Sequence, residues 1–139
     1  MGNLMAFLAQ NAIQKENVKL VVSDRFVDEK GKPIEWEIRC LTAAEDEELR
    51  RQCTKIKLTK GRAEPQFDAN LYMTKLAAAC TVYPDLNSAE LQDSYGAMGD
   101  AELLKKLLYA GEINSYVLKI QEVNGFNVTL EDKVDKAKN

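Results

Sequence analysis

Histidine is absent from the 139 residues. Its absence removes the side chain that most often serves as a general base near neutral pH, and the commonest metal ligand. Cysteine is sparse: Cys40, Cys53 and Cys80 are three, widely spaced and flanked by positions that suit a core. An odd, scattered set makes neither a disulfide framework nor a zinc signature, and points to a reducing compartment. Strong charge of either sign is missing too. A formal charge of -3 and a pI of about 5.1 provide no global attraction to nucleic acid or an anionic membrane. Long apolar runs are lacking: Leu4 to Ala9 is far too short to span a bilayer, no Lys or Arg precedes it, and Gln10-Asn11 follows at once. Gly2 is followed by Ala6 where a myristoylation signal wants Ser or Thr. These features predict a cytosolic protein without a signal peptide or membrane anchor. Its length suits one domain with its own hydrophobic core.

What is present is amphipathic pattern. Leu4, Phe7, Leu8 and Ala12 recur at helical spacing and predict a short helix over about residues 3–13. Val18, Leu20, Val22 and Phe26 then point one way, as do Ile34, Trp36, Ile38 and Cys40 beyond the turn material Asp28-Glu-Lys-Gly-Lys-Pro33. This spacing predicts a hairpin with one covered and one polar face, Trp36 being its largest core side chain. At Thr42 the period becomes helical. Thr42-Ala-Ala-Glu45 is a capping box, and Glu45-Asp-Glu-Glu48 places negative charge in the first turns, with Leu41, Leu49 and Cys53 offering the buried side. In the basic stretch that follows, Ile56 and Leu58 alternate with lysines, the pattern of a third, edge strand protected by charge. Without aromatics or a net positive surface this stretch reads as a solvated face, not a nucleic-acid patch. Gly61 to Pro65 reads as a linker-like break.

The longest helix is expected from Phe67 or Asp68 to Tyr83, with Ala77, Ala78 and Ala79 admitting another helix closely and Pro84 ending it. Asn87 is placed to cap a brief helix, with Glu90 closing the box and Leu86 set against Leu91. Two final helices are expected to join at Ala110-Gly111. Asp100 caps the first, which carries Leu103, Leu104, Leu107 and Leu108; the second carries Ile113, Tyr116, Val117 and Ile120 and stops at Asn124-Gly125. The fold class predicted is α+β: a small antiparallel β-hairpin or sheet near the N-terminus packed against a mainly α-helical remainder. Residues 1–126 are expected to form one domain, and 127–139 a polar, frayed C-terminal tail.

Enzyme chemistry finds no support. Gly96-x-x-Gly99 is too short for a phosphate loop and lacks the downstream Lys, and the many carboxylates fall on faces expected to be wet. No catalytic, cofactor-binding or metal residue is assigned, and no cofactor is expected. The helix-glycine-helix over 101–122 superficially fits a helix-turn-helix regulator. Its second helix would present Glu112, Asn114, Ser115, Lys119 and Glu122, the wrong balance for a phosphate-lined groove.

The order of elements resembles the XkdN-like tail assembly chaperones of contractile-tailed phages and related defective prophages. The resemblance rests on the hairpin ending in Trp36-Glu-Ile-Arg-Cys-Leu41, the acidic helix after Thr42, and Tyr83-Pro-Asp-Leu86 with the capped helix behind it. Above all it rests on Leu103-Leu-Lys-Lys-Leu-Leu-Tyr-Ala-Gly-Glu-Ile113 running on to Ile120-Gln-Glu-Val-Asn-Gly125. It covers nearly the whole chain up to Phe126. It implies a small non-enzymatic protein of the bacterial host's cytoplasm that accompanies the phage tape measure protein until tail tube subunits polymerise around it, and that is absent from the finished virion. A structural protein-interaction module of the phage particle is the neighbouring alternative.

A soluble acidic protein with spare apolar helical surface suits temporary cover of a helical partner's apolar stripe. Two surfaces compete for that role. The final helix pair offers Leu104, Leu108, Tyr109, Ile113 and Tyr116; it ranks first because it is richer in apolar residues and its tyrosines suit an interface. The N-terminal helix offers Leu4, Phe7 and Leu8, with Gln14 to Asn17 as a hinge. A homo-oligomer would use either patch.

Overall fold

The alternation around Trp36 becomes the middle strand of a three-stranded antiparallel sheet in the computed structural model, which describes residues 2–126. Strand β1 (Val18–Leu20) pairs with β2 (Trp36–Ile38) in the register Val18↔Ile38 and Leu20↔Trp36, so the expected hairpin is present. A period of two buries Trp36 and Ile38 and turns Glu37 to the other face. The paired strands are shorter than the alternation suggested. Residues beyond Leu20 leave the ladder for a wide loop, closed at its tip where Val27 bridges Pro33 and the Asp28 carboxylate accepts the N–H groups of Lys30 and Lys32. Val22 and Phe26 still pack against the core from that loop.

The other edge of the sheet is β5 (Thr81–Tyr83), in a stretch the sequence pattern assigned to a helix. Helix α3 (Ala69–Cys80) stops before it, because Thr81 and Val82 are β-branched and Tyr83 precedes a proline. At its start Asp68 is the N-cap and accepts the Leu71 N–H at 3.0 Å. Helix α2 (Ala43–Gln52) opens on the expected capping box, with Thr42 Oγ1 accepting from Glu45 N at 3.2 Å and Glu45 Oε1 from Thr42 N at 3.0 Å. A polar clasp fixes α2 to α3: the Tyr72 hydroxyl donates to the Asp46 carboxylate, and Arg50 reaches Asp46 at 3.0 Å and the Tyr72 hydroxyl at 3.2 Å.

Between α2 and α3 the chain departs from the sequence expectation. Ile56 and Leu58 do lie on a strand, β3 (Thr54–Thr59), but it pairs with β4 (Arg62–Phe67) in a separate two-stranded ladder and not with the sheet. The segment read as a break is therefore a strand. Lys60 and Gly61 both take positive φ, 53° and 79°, the two-residue turn whose twist matches a hairpin. The N-terminal helix α1 (Gly2–Phe7) is likewise shorter than expected. Asn11 Nδ2 folds back to donate to the Met5 carbonyl at 2.8 Å, so local side-chain bonding replaces the helical ladder.

The remaining helices keep their order with shifted ends. Helix α4 (Ala89–Tyr95) is capped by Ser88, since Asn87 is held in a turn by the Asp85 carboxylate. Helix α5 (Asp100–Leu107) starts with Asp100 inside its first turn and Gly99 at the cap. Its junction with α6 (Ala110–Val123) falls at Leu108-Tyr109, two residues before the expected site, and α6 is the longer of α6 and α3. Asn124 caps α6 and Gly125 takes φ 78°, as the sequence predicts. The expected C-terminal tail lies outside the described residues.

The fold is α+β. Helix α3 runs through its middle with Tyr72, Leu76, Ala77, Ala78 and Cys80 buried, and α5 and α6 pack against it. Ala77 and Ala78 have no side chain beyond Cβ to hold neighbouring elements apart. Trp36 meets Tyr116 of α6 edge-on at 5.3 Å, and the Tyr116 hydroxyl lies 2.5 Å from Thr81 Oγ1, so sheet and helix layer close on one aromatic contact. Burial pushes the Tyr116 phenol well above its ordinary range and the buried Cys80 thiol up to about 11.

Candidate functional site

Helices α5 and α6 bury most of the side chains that made them the leading surface in the sequence. Leu104 is 0% exposed and Leu108 5%; Tyr116 is buried, and Ile113 is partly buried against the core. Only Tyr109 of that set is open, at 69%. Four of the five are thus core side chains of this chain, because the helix pair closes the sheet and α3 on one side and its stripes meet there.

Tyr109 stands at the α5–α6 junction, and that junction is organised around Arg25 from the β1–β2 loop. Arg25 Nη2 donates to the Leu107 carbonyl at 2.7 Å and to Glu112 Oε1 at 2.6 Å, and the guanidinium lies 4.3 Å from the centre of the Tyr109 ring. The same carboxylate oxygen accepts the Tyr109 N–H at 2.8 Å. The Arg25 bond, helped by Ser23 and that backbone N–H, lowers the Glu112 pKa to about 2. A carboxylate depressed in the folded state adds stability above its unfolded value near ~4.3, and the contribution is lost as pH falls toward the folded value. Glu45, held down to about 2 chiefly by Arg39, acts in the same direction. Glu112→Gln is therefore expected to flatten the fall in melting temperature between about pH 4.5 and 2.5, leaving a residual slope from Glu45. Parallel acid limbs for parent and variant would contradict the assignment.

The N-terminal segment presents the opposite case. Leu4, Met5 and Phe7 are exposed on α1, Phe7 at 81%, and Ile13 projects fully after it. Leu8 is half-buried, yet no side chain of α1 is among those packed against the core. The segment is held further along by Lys15 Nζ on the Val123 carbonyl and Asn17 on Glu37, each at 2.8 Å. Sequence pattern found Leu4, Phe7 and Leu8; Met5 and Ile13 lie off that stripe and carried no signal of their own.

A further apolar surface belongs to the β3–β4 hairpin, all of whose side chains are exposed or half-exposed. Register places Ile56 opposite Pro65, Leu58 opposite Ala63 and Thr54 opposite Phe67 on one face. The other face holds Lys55 opposite Gln66, Lys57 opposite Glu64, and Thr59 opposite Arg62. Only the base is tied down, by the Asp68 N–H on the Cys53 carbonyl at 2.8 Å and by Phe67 packed 5.5 Å from the Tyr72 ring.

A cleft of about 150 Å³ opens beside Trp36, between Phe26 and Ile34 of the loop, Pro84, and Leu91 and Tyr95 of α4. No carboxylate or cation lines it, so it lacks the convergent polar groups that orient a small-molecule ligand. On α6, Lys119 is paired with Glu122 at 3.6 Å, and no other Lys or Arg lies on that helix, which keeps the charge balance wrong for a DNA groove. No described helix is long and apolar enough to cross a membrane.

Comparison with known proteins adds the remaining observation. Residues 4–138 match the family of phage XkdN-like tail assembly chaperone proteins. The phage-like element PBSX protein XkdN of Bacillus subtilis (strain 168) is 33% identical, the match covering 99% of this chain and 94% of that protein. The uncharacterized protein YqbN of the same strain is 32% identical over 99% of this chain and 93% of its own length. The crystal structure of the protein YqbN superimposes with a TM-score of 0.75 at 26% identity, covering 86% of this chain and 93% of that one.

Proposed function

The chain belongs to the family of XkdN-like phage tail assembly chaperones, and from that premise we propose that it binds the phage tape measure protein and keeps it soluble until the tail tube polymerises around it. The role is non-enzymatic, is exercised in the cytoplasm of the bacterial host, and leaves the protein out of the mature virion. The observation that carries this reading is the exposed apolar set Leu4, Met5, Phe7 and Ile13 on a segment that contributes no side chain to the core. A chaperone for a long helical client needs apolar surface that its own fold does not consume, and α1 has it. Tyr109 is a second contact, though a lone aromatic already stacked by Arg25 offers less area than α1.

On the exposure of these side chains we rank α1 ahead of the helix pair, the reverse of the order drawn from sequence. Capture of the tape measure protein from the same genome tests it, with Phe7→Asp and Tyr109→Asp first checked for unchanged circular dichroism and melting. Phe7→Asp is expected to weaken capture by about thirtyfold or more, the size of an interface hot spot, and Tyr109→Asp by less. Equal capture by parent and both folded variants rules out both surfaces. Failure of the parent to bind the tape measure protein at all would end the proposal.

A further inference from the structure

The hairpin β3–β4 is amphipathic across its two faces and asymmetric along its two edges, and neither property serves the fold. A two-stranded ribbon is marginal in water on its own, and this one lays no face on the core. In a hairpin closed by a two-residue turn, the flanking pair Thr59↔Arg62 exchanges both backbone hydrogen bonds, and hydrogen-bonded and open pairs then alternate. Lys57↔Glu64 and Lys55↔Gln66 are bonded pairs; Leu58↔Ala63 and Ile56↔Pro65 are open ones. Residues of the open pairs direct their backbone N–H and C=O groups away from the partner strand. On β4 those positions are Ala63, Pro65 and Phe67, and the middle one, Pro65, has no N–H to offer, so the outer edge of β4 is interrupted at its centre. On β3 the equivalent groups of Ile56 and Leu58 are intact, and among the described residues no strand pairs with that edge.

Charge says what fits there. A strand added to β3 extends both faces at once: its alternate side chains join Ile56 and Leu58 on the apolar side, and the others adjoin Lys55 and Lys57 on a face where three cations, with Arg62 of β4, stand against one anion, Glu64. Ile56 and Leu58 are 69% and 75% exposed, so the apolar side has surface to give. A helix laid on the apolar face would leave the cations unused. A second copy of β3 fits poorly, because any register that keeps Ile56 and Leu58 on a shared apolar face sets Lys55 and Lys57 against each other or against Thr59. Like charges directly opposite are unfavourable. We infer that the outer edge of β3 is a strand-addition site for an extended segment of another protein in which acidic and apolar residues alternate. This edge is separate from the α1 surface, and the inference stands whether or not the tape measure protein is the client.

The probe is a short, end-capped, fluorescein-labelled peptide alternating valine with glutamate, and its control carries lysine in place of glutamate. Both are titrated into the full chain by fluorescence anisotropy, with amide chemical shifts recorded by NMR. The glutamate peptide is expected to bind saturably and more tightly at low salt, with the largest shifts in residues 54–59 and little binding of the lysine peptide. Leu58→Pro copies onto β3 the blunting that Pro65 gives β4, and is expected to weaken binding at least about tenfold. The pair Lys55→Glu and Lys57→Gln leaves the backbone untouched, sets no like charge against Glu64, and is expected to abolish the preference for the glutamate peptide with little change in melting temperature. This arm reads the site even if Leu58→Pro disorders the hairpin. Absence of saturable binding at millimolar peptide, equal affinity for the two peptides, or shifts centred outside the hairpin would overturn the inference. So would self-association of the parent in sedimentation that Leu58→Pro abolishes, since β3 would then be occupied by its own copy.

Discussion

Trp36→Ala is expected to lower stability by about 3–5 kcal/mol, the cost of removing a large aromatic from a packed core. That is a large part of the 5–15 kcal/mol that holds a typical domain together. Trp36 is 2% exposed on the middle strand of the sheet, with Tyr116 edge-on at 5.3 Å and Phe26 at 6.4 Å. Its removal also joins the vacated space to the cleft that Trp36 already lines, which opens to solvent between the loop and α4. Water would then reach Leu107 and the Tyr116 ring, so the site gains little by collapsing. Urea titration and thermal melting both read the effect. A drop of about 10 °C or more is the expected result, and a variant melting within a degree or two of the parent would show that the indole is not core.

The elements legible in the sequence are those whose pattern arises from one-sided burial or from backbone chemistry local to a few residues. Trp36 and Ile38 alternate with Glu37 because one face of β2 is covered, and Thr42 and Glu45 cap α2 because their side chains satisfy neighbouring N–H groups. Asn124-Gly125 stops α6 for the same local reason. What the pattern did not show was burial on both sides or on neither. Helix α3 is buried nearly all round, so its stripe is too broad to mark an end, and Thr81, Val82 and Tyr83 were absorbed into it. Strand β4 is exposed throughout, so Arg-Ala-Glu-Pro-Gln-Phe carries no alternation strong enough to outweigh Gly61 and Pro65. Its pairing becomes visible only with the turn geometry of Lys60-Gly61, since Pro65 sits at an open pair where the missing N–H costs no cross-strand bond.

The candidate surface was harder to read for a related reason. A helical stripe says that a face is apolar and leaves open whether this chain or another covers it. Leu104 and Leu4 look alike in sequence, each spaced with neighbours at three and four residues. The three-dimensional arrangement separates them: α5 lies across α3 and its leucines are enclosed, whereas α1 precedes a linker and none of its side chains is among those packed against the core. Tyr109 is the exception within the helix pair because the junction falls at Leu108-Tyr109, which swings that one ring outward beside Arg25.

That separation makes the second large effect a test of the whole partition. Leu104 is fully enclosed on α5, so Leu104→Ala is expected to cost about 2–5 kcal/mol through lost transfer energy and the cavity left behind. Tyr109→Ala removes an exposed ring whose stacking on the solvent-screened Arg25 guanidinium adds little, and its melting temperature should stay close to the parent's. The two variants then part company in capture of the tape measure protein. At a temperature where Leu104→Ala remains folded by circular dichroism, it should capture as the parent does, and lose capture only as it melts. A Leu104→Ala protein with the parent's melting temperature and impaired capture at every temperature would place Leu104 in the interface. In that case α5 and α6, and not α1, would be the surface the client covers, and the helix pair would regain the rank its sequence suggested.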